Sequence, residues 1–189
     1  MILLIDNQDS FTFNLFQAVE ALGRVCVVLS AEAVSLSAVR QLVPSGVILS
    51  PGPGRPEAAL GSLLLAQALW REVPLLGVCL GHQVLGQVFG CPSVAAKRLV
   101  YGKAEAMLHQ GQRILAGLPQ PFFAARYHSL ALSGLPENFD ALARTEDGEL
   151  MAMAHRELPV YGLQFHPESF MTPQGANILG NFLAQCPAP

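Results

Sequence analysis

The feature that most constrains the fold is an apolar run that stops at a cysteine between two glycines. Residues 74–82 read P-L-L-G-V-C-L-G-H, and the pattern turns helical after Cys79. A chain that turns this sharply from a buried strand into a helix accepts only small neighbours, which Gly77 and Gly81 provide. The segment therefore predicts a strand–turn–helix unit of an α/β protein, with the Cys79 side chain exposed on the turn.

A cysteine on such a turn has the properties of a nucleophile. The helix dipole favours negative charge at the helix N-terminus, and the thiolate is the form of cysteine that attacks a carbonyl carbon. The alternative is that Cys79 is a small apolar residue at the end of an ordinary strand.

A candidate base follows another apolar run, over residues 160–165. Pro167 stiffens the turn, so we expect His166 and Glu168 to face the same way at a strand end. A neighbouring carboxylate fixes the tautomer of an imidazole and stabilises the imidazolium. Taken alone, the pair is better explained as a solvated loop histidine with an unrelated glutamate.

The cysteine and the histidine both follow strands, and open parallel sheets place ligand sites beyond the carboxyl ends of their strands. This agreement favours a hydrolytic site with Cys79 as nucleophile, His166 as base and Glu168 as the group that orients the base.

A rigid loop, S-P-G-P-G at residues 50–54, follows a third apolar run. Its prolines lack an N–H, so the donors it can offer to an oxyanion are those of Gly52, Gly54 and Arg55. The N–H of Leu80, the residue after the nucleophile, is the natural second donor. As an isolated motif, the loop is better explained as an ordinary tight turn.

Composition limits the class of protein. The chain has 189 residues, of which 51% are apolar and 13% charged, and a net charge of −3. These values favour a single domain over residues 1–189 and argue against disorder and nucleic-acid binding. No metal-finger or disulfide spacing, signal peptide or membrane-spanning run is present, so we expect a reducing cytoplasm, no metal and no membrane.

Strands and helices alternate along the first half of the chain. Strands are predicted over 2–5, 25–29, 47–49 and 75–78, and helices over 11–22, 35–42, 60–71 and 81–89. This rhythm favours an α/β fold with an open, mostly parallel, doubly wound sheet of the flavodoxin-like type. Later runs over 104–108, 122–125, 129–132, 141–145 and 150–154 predict mostly antiparallel strands and a small additional antiparallel sheet. A strand over 160–165 and a helix over 175–183 close the pattern.

Five segments carry a resemblance to a known family. They are D-N-Q-D-S-F-T-F-N (6–14), S-P-G-P-G (50–54), G-V-C-L-G-H-Q (77–83), R-Y-H-S-L (126–130) and Q-F-H-P-E-S (164–169). Together they resemble the class I, triad-type glutamine amidotransferases over essentially the whole chain. The first and fourth segments are similar to the chorismate-linked branch, the small subunits of anthranilate synthase and aminodeoxychorismate synthase.

The resemblance implies an activity, a substrate site and a partner. Cys79, His166 and Glu168 would hydrolyse glutamine to glutamate through a thioester, with the oxyanion at the N–H groups of Gly52 and Leu80. No cofactor is implied, and the ammonia would pass to a chorismate-using large subunit in a heteromeric complex. The tryptophan pathway, the folate pathway and shared use all stay open. The residues implied to hold glutamine are Gly52, Pro53, Gly54, Gln83, Ser129 and Leu130.

Some interpretations stay open. Gln83 equally braces the helix after Cys79. Tyr101 stands where the family usually has the histidine of a His-Gly-Lys motif, which puts partner contact in doubt. Exposed aromatic residues at Phe11 and Phe13 would indicate a partner surface. The other functions considered are a stand-alone cysteine hydrolase of γ-glutamyl substrates and a non-catalytic binding subunit.

Overall fold

The computed structural model describes residues 1–187 and has the expected α/β architecture. None of the described helices reaches the length and hydrophobicity needed to cross a bilayer. The helices are α1 (Thr12–Ala21), α2 (Leu36–Leu42), α3 (Leu60–Leu69), α4 (Leu80–Val88) and α5 (Gly175–Leu183). The strands are β1 (Ile2–Asp6), β2 (Cys26–Ser30), β3 (Gly46–Leu49), β4 (Leu75–Val78), β5 (Ser93–Ala95), β6 (Lys103–His109), β7 (Phe122–Arg126), β8 (Leu130–Leu132), β9 (Phe139–Arg144), β10 (Leu150–His155) and β11 (Val160–Leu163).

The main sheet has nine strands in the order β2-β1-β3-β4-β11-β10-β9-β6-β7. The pairings from β2 to β11 are parallel, and those from β11 to β7 are antiparallel. Strands β5 and β8 form a separate two-stranded antiparallel sheet. The predicted fold class is confirmed. Most of the antiparallel strands extend the main sheet, and β5, which was not predicted from the sequence, pairs with β8 in the small one.

The parallel strands are buried on both faces, so successive residues supply two separate cores. Leu4 belongs to the core that includes Leu15 of α1 and Phe182 of α5. Its neighbour Leu3 belongs to the opposite core, with apolar residues of α2, α3 and α4 such as Val39. Helices therefore cover both faces, which is the doubly wound arrangement predicted from the βα rhythm.

The predicted boundaries hold best where a strong local signal marks them. The strand over 75–78 and the helix over 175–183 have the predicted bounds, and Gly23 with φ +77° follows α1. The N-cap of α1 is Phe11, which makes no side-chain capping hydrogen bond; its N–H donates to Asp9 Oδ1 at 2.8 Å. The strand predicted over 160–165 ends at Leu163.

The carboxyl ends of the parallel strands meet at one edge of the sheet and bring distant residues together. Asn7, after β1, donates its backbone N–H to Ser50 Oγ, after β3, at 2.8 Å. Gln164, after β11, places its Nε2 3.9 Å from the Sγ of Cys79, after β4. The candidate site lies at this edge.

The two glycines of α5 provide a matched test of packing. A Cβ at Gly175 would lie 1.7 Å from the backbone oxygen of Pro167, whereas a Cβ at Gly180 would meet nothing within 4 Å. We expect Gly175→Ala to lower the free energy of unfolding by about 1–3 kcal/mol. Gly180→Ala should raise it by about 0.5–1 kcal/mol, because alanine favours a helix interior. Urea denaturation checks both, and equal effects of the two variants would contradict the packing shown here.

His82 of α4 predicts a pH dependence of stability. Its side chain is fully buried, neither ring nitrogen has a hydrogen-bond partner among residues 1–187, and burial together with nearby His128 lowers its pKa to about 3. Above about pH 6.5, His82 is neutral in both the folded and the unfolded chain. Below that pH only the unfolded chain gains the proton, so stability falls as pH falls, by up to ~1.4 kcal/mol per unit.

The variant His82→Leu should flatten this dependence. We expect its free energy of unfolding to change by about 1–2 kcal/mol less between pH 7 and pH 5 than that of the wild type. Urea denaturation at the two pH values measures the difference, and an unchanged slope would show that His82 does not carry it.

Candidate active site

The backbone of the turn at Cys79 is forced by close contacts. A Cβ at Gly77 would lie 2.3 Å from the oxygen of Gly81, and a Cβ at Gly81 would lie 2.3 Å from the oxygen of Leu49. Cys79 itself adopts φ +52° and ψ −102°, which is unfavourable for a residue with a side chain and costs about 1–3 kcal/mol. The predicted sharp turn from strand to helix is thus present, and Cys79 is the N-cap of α4. The prediction of an exposed side chain was wrong, because only 8% of Cys79 is exposed.

His166 and Glu168 form a closely coupled buried pair. Nδ1 of His166 lies 2.6 Å from Oε1 of Glu168, whose side chain is fully buried. Burial alone would lower the pKa of His166, but its interactions with the Cys79 thiol and the Glu168 carboxylate raise it well above the usual value. Because Nδ1 is bound to Glu168, Nε2 is the nitrogen left for proton exchange; it has no hydrogen-bond partner of regular geometry among residues 1–187.

The loop that carries His166 is fixed to the neighbouring strand β7. The His166 N–H donates to the Ala125 oxygen at 3.1 Å, and the Thr172 hydroxyl donates to the His166 oxygen at 2.7 Å. The same hydroxyl accepts the Ala125 N–H at 2.9 Å. The rings of Tyr127 and Phe11 lie 5.0 and 5.4 Å from the imidazole. These contacts limit rotation of the imidazole. The contribution of Thr172 was not predicted from the sequence.

The loop at Gly52 lies directly against the start of α4. A Cβ at Gly52 would lie 2.5 Å from Leu80 Cδ2 and 2.6 Å from Asn7 Cβ, so only glycine fits. Neither the Gly52 N–H nor the Leu80 N–H makes a hydrogen bond to another of residues 1–187. Both predicted oxyanion donors are therefore unengaged, as this role requires.

A polar brace under the Gly52 loop was not predicted from the sequence. Asn7 Nδ2 donates to the Ser50 oxygen at 2.9 Å, and the Ser62 hydroxyl donates to Asn7 Oδ1 at 2.6 Å. All three residues are buried, so these hydrogen bonds are protected from water. The sequence places Asn7 only in the family segment over residues 6–14, because its hydrogen-bond partners lie far away along the chain.

A cavity of about 180 Å³ opens beside the thiol. Every residue predicted to hold the substrate lines it, but their ligand roles stay predictions. Gln83 also makes a bracing contact, since its Nε2 lies 3.0 Å from the Leu130 oxygen and 3.2 Å from Gln164 Oε1. The lining residues are Gly52, Pro53, Gly54, Cys79, Leu80, Gln83, Tyr127, His128, Ser129 and Leu130.

Tyr101, the departure from the usual motif, lies outside the cavity. Its ring packs edge-on against Tyr127 at 5.6 Å, and 72% of the residue is exposed. The substitution therefore leaves the nucleophile and base untouched and changes the outer surface beside Tyr127.

The arrangement can carry out acyl transfer. It combines a thiol nucleophile, an oriented imidazole and unengaged backbone donors around a cavity large enough for a small substrate. No cluster of three or more histidine, cysteine or carboxylate side chains suited to a metal ion occurs among the described residues.

Comparisons with known proteins agree with this chemistry. The model of the family "glutamine amidotransferase class-I" matches residues 3–186. The chain is 44% identical over 185 residues to aminodeoxychorismate/anthranilate synthase component 2 of Bacillus subtilis, covering 97% of this chain and 95% of the relative. It is 47% identical over 186 residues to anthranilate synthase component 2 of Azospirillum brasilense, with the same coverages.

A solved structure extends the agreement to the fold. A chain from Thermoplasma acidophilum, described as a GMP synthase subunit, superposes with a TM-score of 0.87 at 25% identity, covering 98% of this chain and 92% of that one. The family match spans nearly all of the residues that build the sheet and the cavity. The chain belongs to the class I glutamine amidotransferases.

Proposed function

We propose that this chain is the glutaminase component of a chorismate-aminating synthase, with Cys79, His166 and Glu168 as its catalytic residues. The observation that carries the proposal is the buried His166–Glu168 pair, 2.6 Å between Nδ1 and Oε1, coupled to the thiol at the mouth of the small cavity. Gly52 and Leu80, whose N–H groups make no hydrogen bond among the described residues, line the same cavity as Cys79.

The first half of the reaction forms a thioester. Nε2 of His166 takes the thiol proton, and Glu168 stabilises the imidazolium. The Cys79 sulfur attacks the carboxamide carbon of glutamine, and the carbonyl oxygen becomes an oxyanion that accepts hydrogen bonds from Gly52 and Leu80. When the tetrahedral intermediate collapses, the C–N bond breaks, and the imidazolium proton goes to the leaving nitrogen, which departs as ammonia.

The second half restores the enzyme. His166 takes a proton from water, and the resulting hydroxide attacks the thioester carbon. The C–S bond breaks, glutamate leaves, and His166 returns its proton to the Cys79 sulfur. No step requires a metal or an organic cofactor, since the nucleophile, the base and the oxyanion donors all belong to the chain.

The names of the relatives support a partner for this chain. The relatives from Bacillus subtilis and Azospirillum brasilense are each a component 2 of a synthase, one of aminodeoxychorismate/anthranilate synthase and one of anthranilate synthase. We infer that this chain likewise passes ammonia to a large subunit that aminates chorismate. We expect the complex to assemble in a reducing cytoplasm, since the sequence has no disulfide-framework spacing of its cysteines.

Exposed aromatic residues support a partner surface around the site. Phe170 follows the His166 loop and is 90% exposed, and Phe13 on α1 is 59% exposed. Phe11, by contrast, is half-buried against His166 and Tyr127, so it belongs to the site rather than to the outer surface. Aromatic residues are enriched in protein interfaces. We infer that the exposed side chains of Phe13, Tyr101 and Phe170 contribute to docking of the large subunit.

The variant Cys79→Ser tests the division of labour. With the large subunit present, it should lose glutamine-dependent amination of chorismate but keep ammonia-dependent amination, because the hydroxyl is a far weaker nucleophile. Glutamate release and the aromatic product are measured with an anthranilate-forming and an aminodeoxychorismate-forming large subunit in turn. Stimulation by one partner identifies the pathway, and stimulation by both indicates shared use.

Two outcomes of the same experiment would contradict the proposal. Loss of the ammonia-dependent reaction in Cys79→Ser would mean that this chain does more than supply ammonia. Vigorous hydrolysis of γ-glutamyl peptides by the wild type alone, unaffected by either large subunit, would identify a stand-alone hydrolase instead.

The variant Glu168→Gln tests the role of the carboxylate. We expect kcat for glutamine hydrolysis to fall by about 10²–10⁴-fold, since the imidazolium loses its stabilising charge. The pKa of His166, followed by NMR titration, should fall at the same time. Glu137→Gln is the matched control, because Glu137 is exposed and makes no ion pair among the described residues. A fully active Glu168→Gln enzyme would remove Glu168 from the mechanism.

A further inference from the structure

Arg126 is a completely buried arginine that the mechanism does not use. Two of its nitrogens pair with the carboxylates of Glu105 and Glu149, and Nε donates to Nε2 of His128 at 3.0 Å. Burying a charge costs several kcal/mol unless partners compensate, and a hydrophobic replacement is often as stable. Stability alone therefore does not account for an arginine at this place.

The arginine determines the tautomer of His128. A guanidinium only donates hydrogen bonds, so Nε2 of His128 must accept with its lone pair. The ring proton then lies on Nδ1, which donates to the Leu130 oxygen at 2.8 Å. Burial, followed by the charge of Arg126, lowers the pKa of His128 to about 4, so the ring is neutral near pH 7. With both nitrogens engaged, His128 is excluded as a second base.

The Leu130 carbonyl joins this chain of contacts to the nucleophile. It accepts from Nδ1 of His128 and also from Nε2 of Gln83, at 3.0 Å. The same Gln83 nitrogen lies 3.2 Å from Oε1 of Gln164, and Nε2 of Gln164 lies 3.9 Å from the Cys79 sulfur. Hydrogen bonds therefore lead from the buried arginine, along the wall of the cavity, to the thiol.

The carboxylates leave the arginine one orientation. Glu149 is itself held, because its Oε2 accepts the backbone N–H of Lys97 at 2.7 Å. The fork geometry of the guanidinium then aims Nε at His128. A lysine has no such fork and could not satisfy two carboxylates and an imidazole from fixed directions.

We propose that Arg126 is a positioning residue for the substrate: it holds His128 in the Nδ1–H tautomer, and His128 fixes the Leu130 carbonyl and the segment 127–130 that forms one wall of the cavity. The proposal rests on the proposed function, since glutamine is the molecule that this wall would contact. Arg126 and His128 thus act on binding and leave the bond-breaking steps to Cys79 and His166.

Two substitutions of His128 distinguish the effect of its hydrogen bonds from the effect of its ring shape. Glutamine at 128 has an oxygen that can accept from Arg126 and a nitrogen that can donate to Leu130, whereas phenylalanine keeps a planar ring without either contact. In the complex with the large subunit, His128→Phe should raise KM for glutamine about tenfold or more, with kcat changed less than about threefold. His128→Gln should recover most of the wild-type KM.

Two further measurements supplement the kinetic test, and the first of them needs no variant. Nitrogen NMR of the wild-type chain near pH 7 should identify His128 as the Nδ1–H tautomer. Alkylation of Cys79 by iodoacetamide should proceed at the wild-type rate in His128→Phe, because the thiol and His166 are untouched. The Nε2–H tautomer, or a wild-type KM in folded His128→Phe, would overturn the proposal.

Failure of the proposed function gives a different result. If the wild-type complex releases no glutamate from glutamine, the glutaminase assignment fails, whatever the tautomer of His128. If the wild-type complex is active and both His128 variants match its KM, only the positioning role is wrong. Misfolding of His128→Phe would leave the tautomer measurement, which needs no variant, to decide.

Discussion

The two glycines beside Cys79 leave no room for a Cβ, and the geometry of the site follows from that steric limit. Because Gly77 packs on Gly81, and Gly81 on Leu49, the start of α4 is pressed against β3 and β4. Cys79 is left with a positive φ that a residue with a side chain avoids. Such strain persists only where the surroundings over-determine the backbone, and here the buried parallel strands on both sides do so.

The rest of the site is assembled by topology rather than by local sequence. Cys79, the proposed nucleophile, follows β4, and His166, the proposed base, follows β11. These strands are hydrogen-bonded neighbours although their residues are far apart in the chain. The loop at Gly52 follows β3, on the other side of β4. Three turns from adjacent parallel strands therefore face one another at a single edge, and the small cavity forms between them and the segment 127–130. The spacing between the strands sets the distance between the three turns. Each turn therefore needs only local features of its own sequence, such as glycines or a proline, to orient its side chain.

The difference between local sequence features and contacts set by the sheet topology explains what could be predicted from the sequence. The elbow at Cys79 and the pair of His166 and Glu168 have local signatures, namely flanking glycines and a stiffening proline, so both could be identified before the fold was known. The brace of Asn7, Ser50 and Ser62 joins residues 43 and 55 positions apart, and no local pattern marks it. The salt bridges of Arg126 are of the same kind. The short strand β5 was missed because its partner β8, which fixes it, lies beyond a long intervening segment.

The site is therefore held by two kinds of contact, which respond differently to substitution. The elbow is held by backbone atoms, and no exchange of one side chain for another loosens it, whereas adding a single methyl group at Gly77 or Gly81 disrupts it. The wall at segment 127–130 is held by side-chain hydrogen bonds, each of which one substitution can remove. Under the proposed function, we therefore expect a substitution in the wall to change substrate binding without distorting the elbow, because different contacts hold the two.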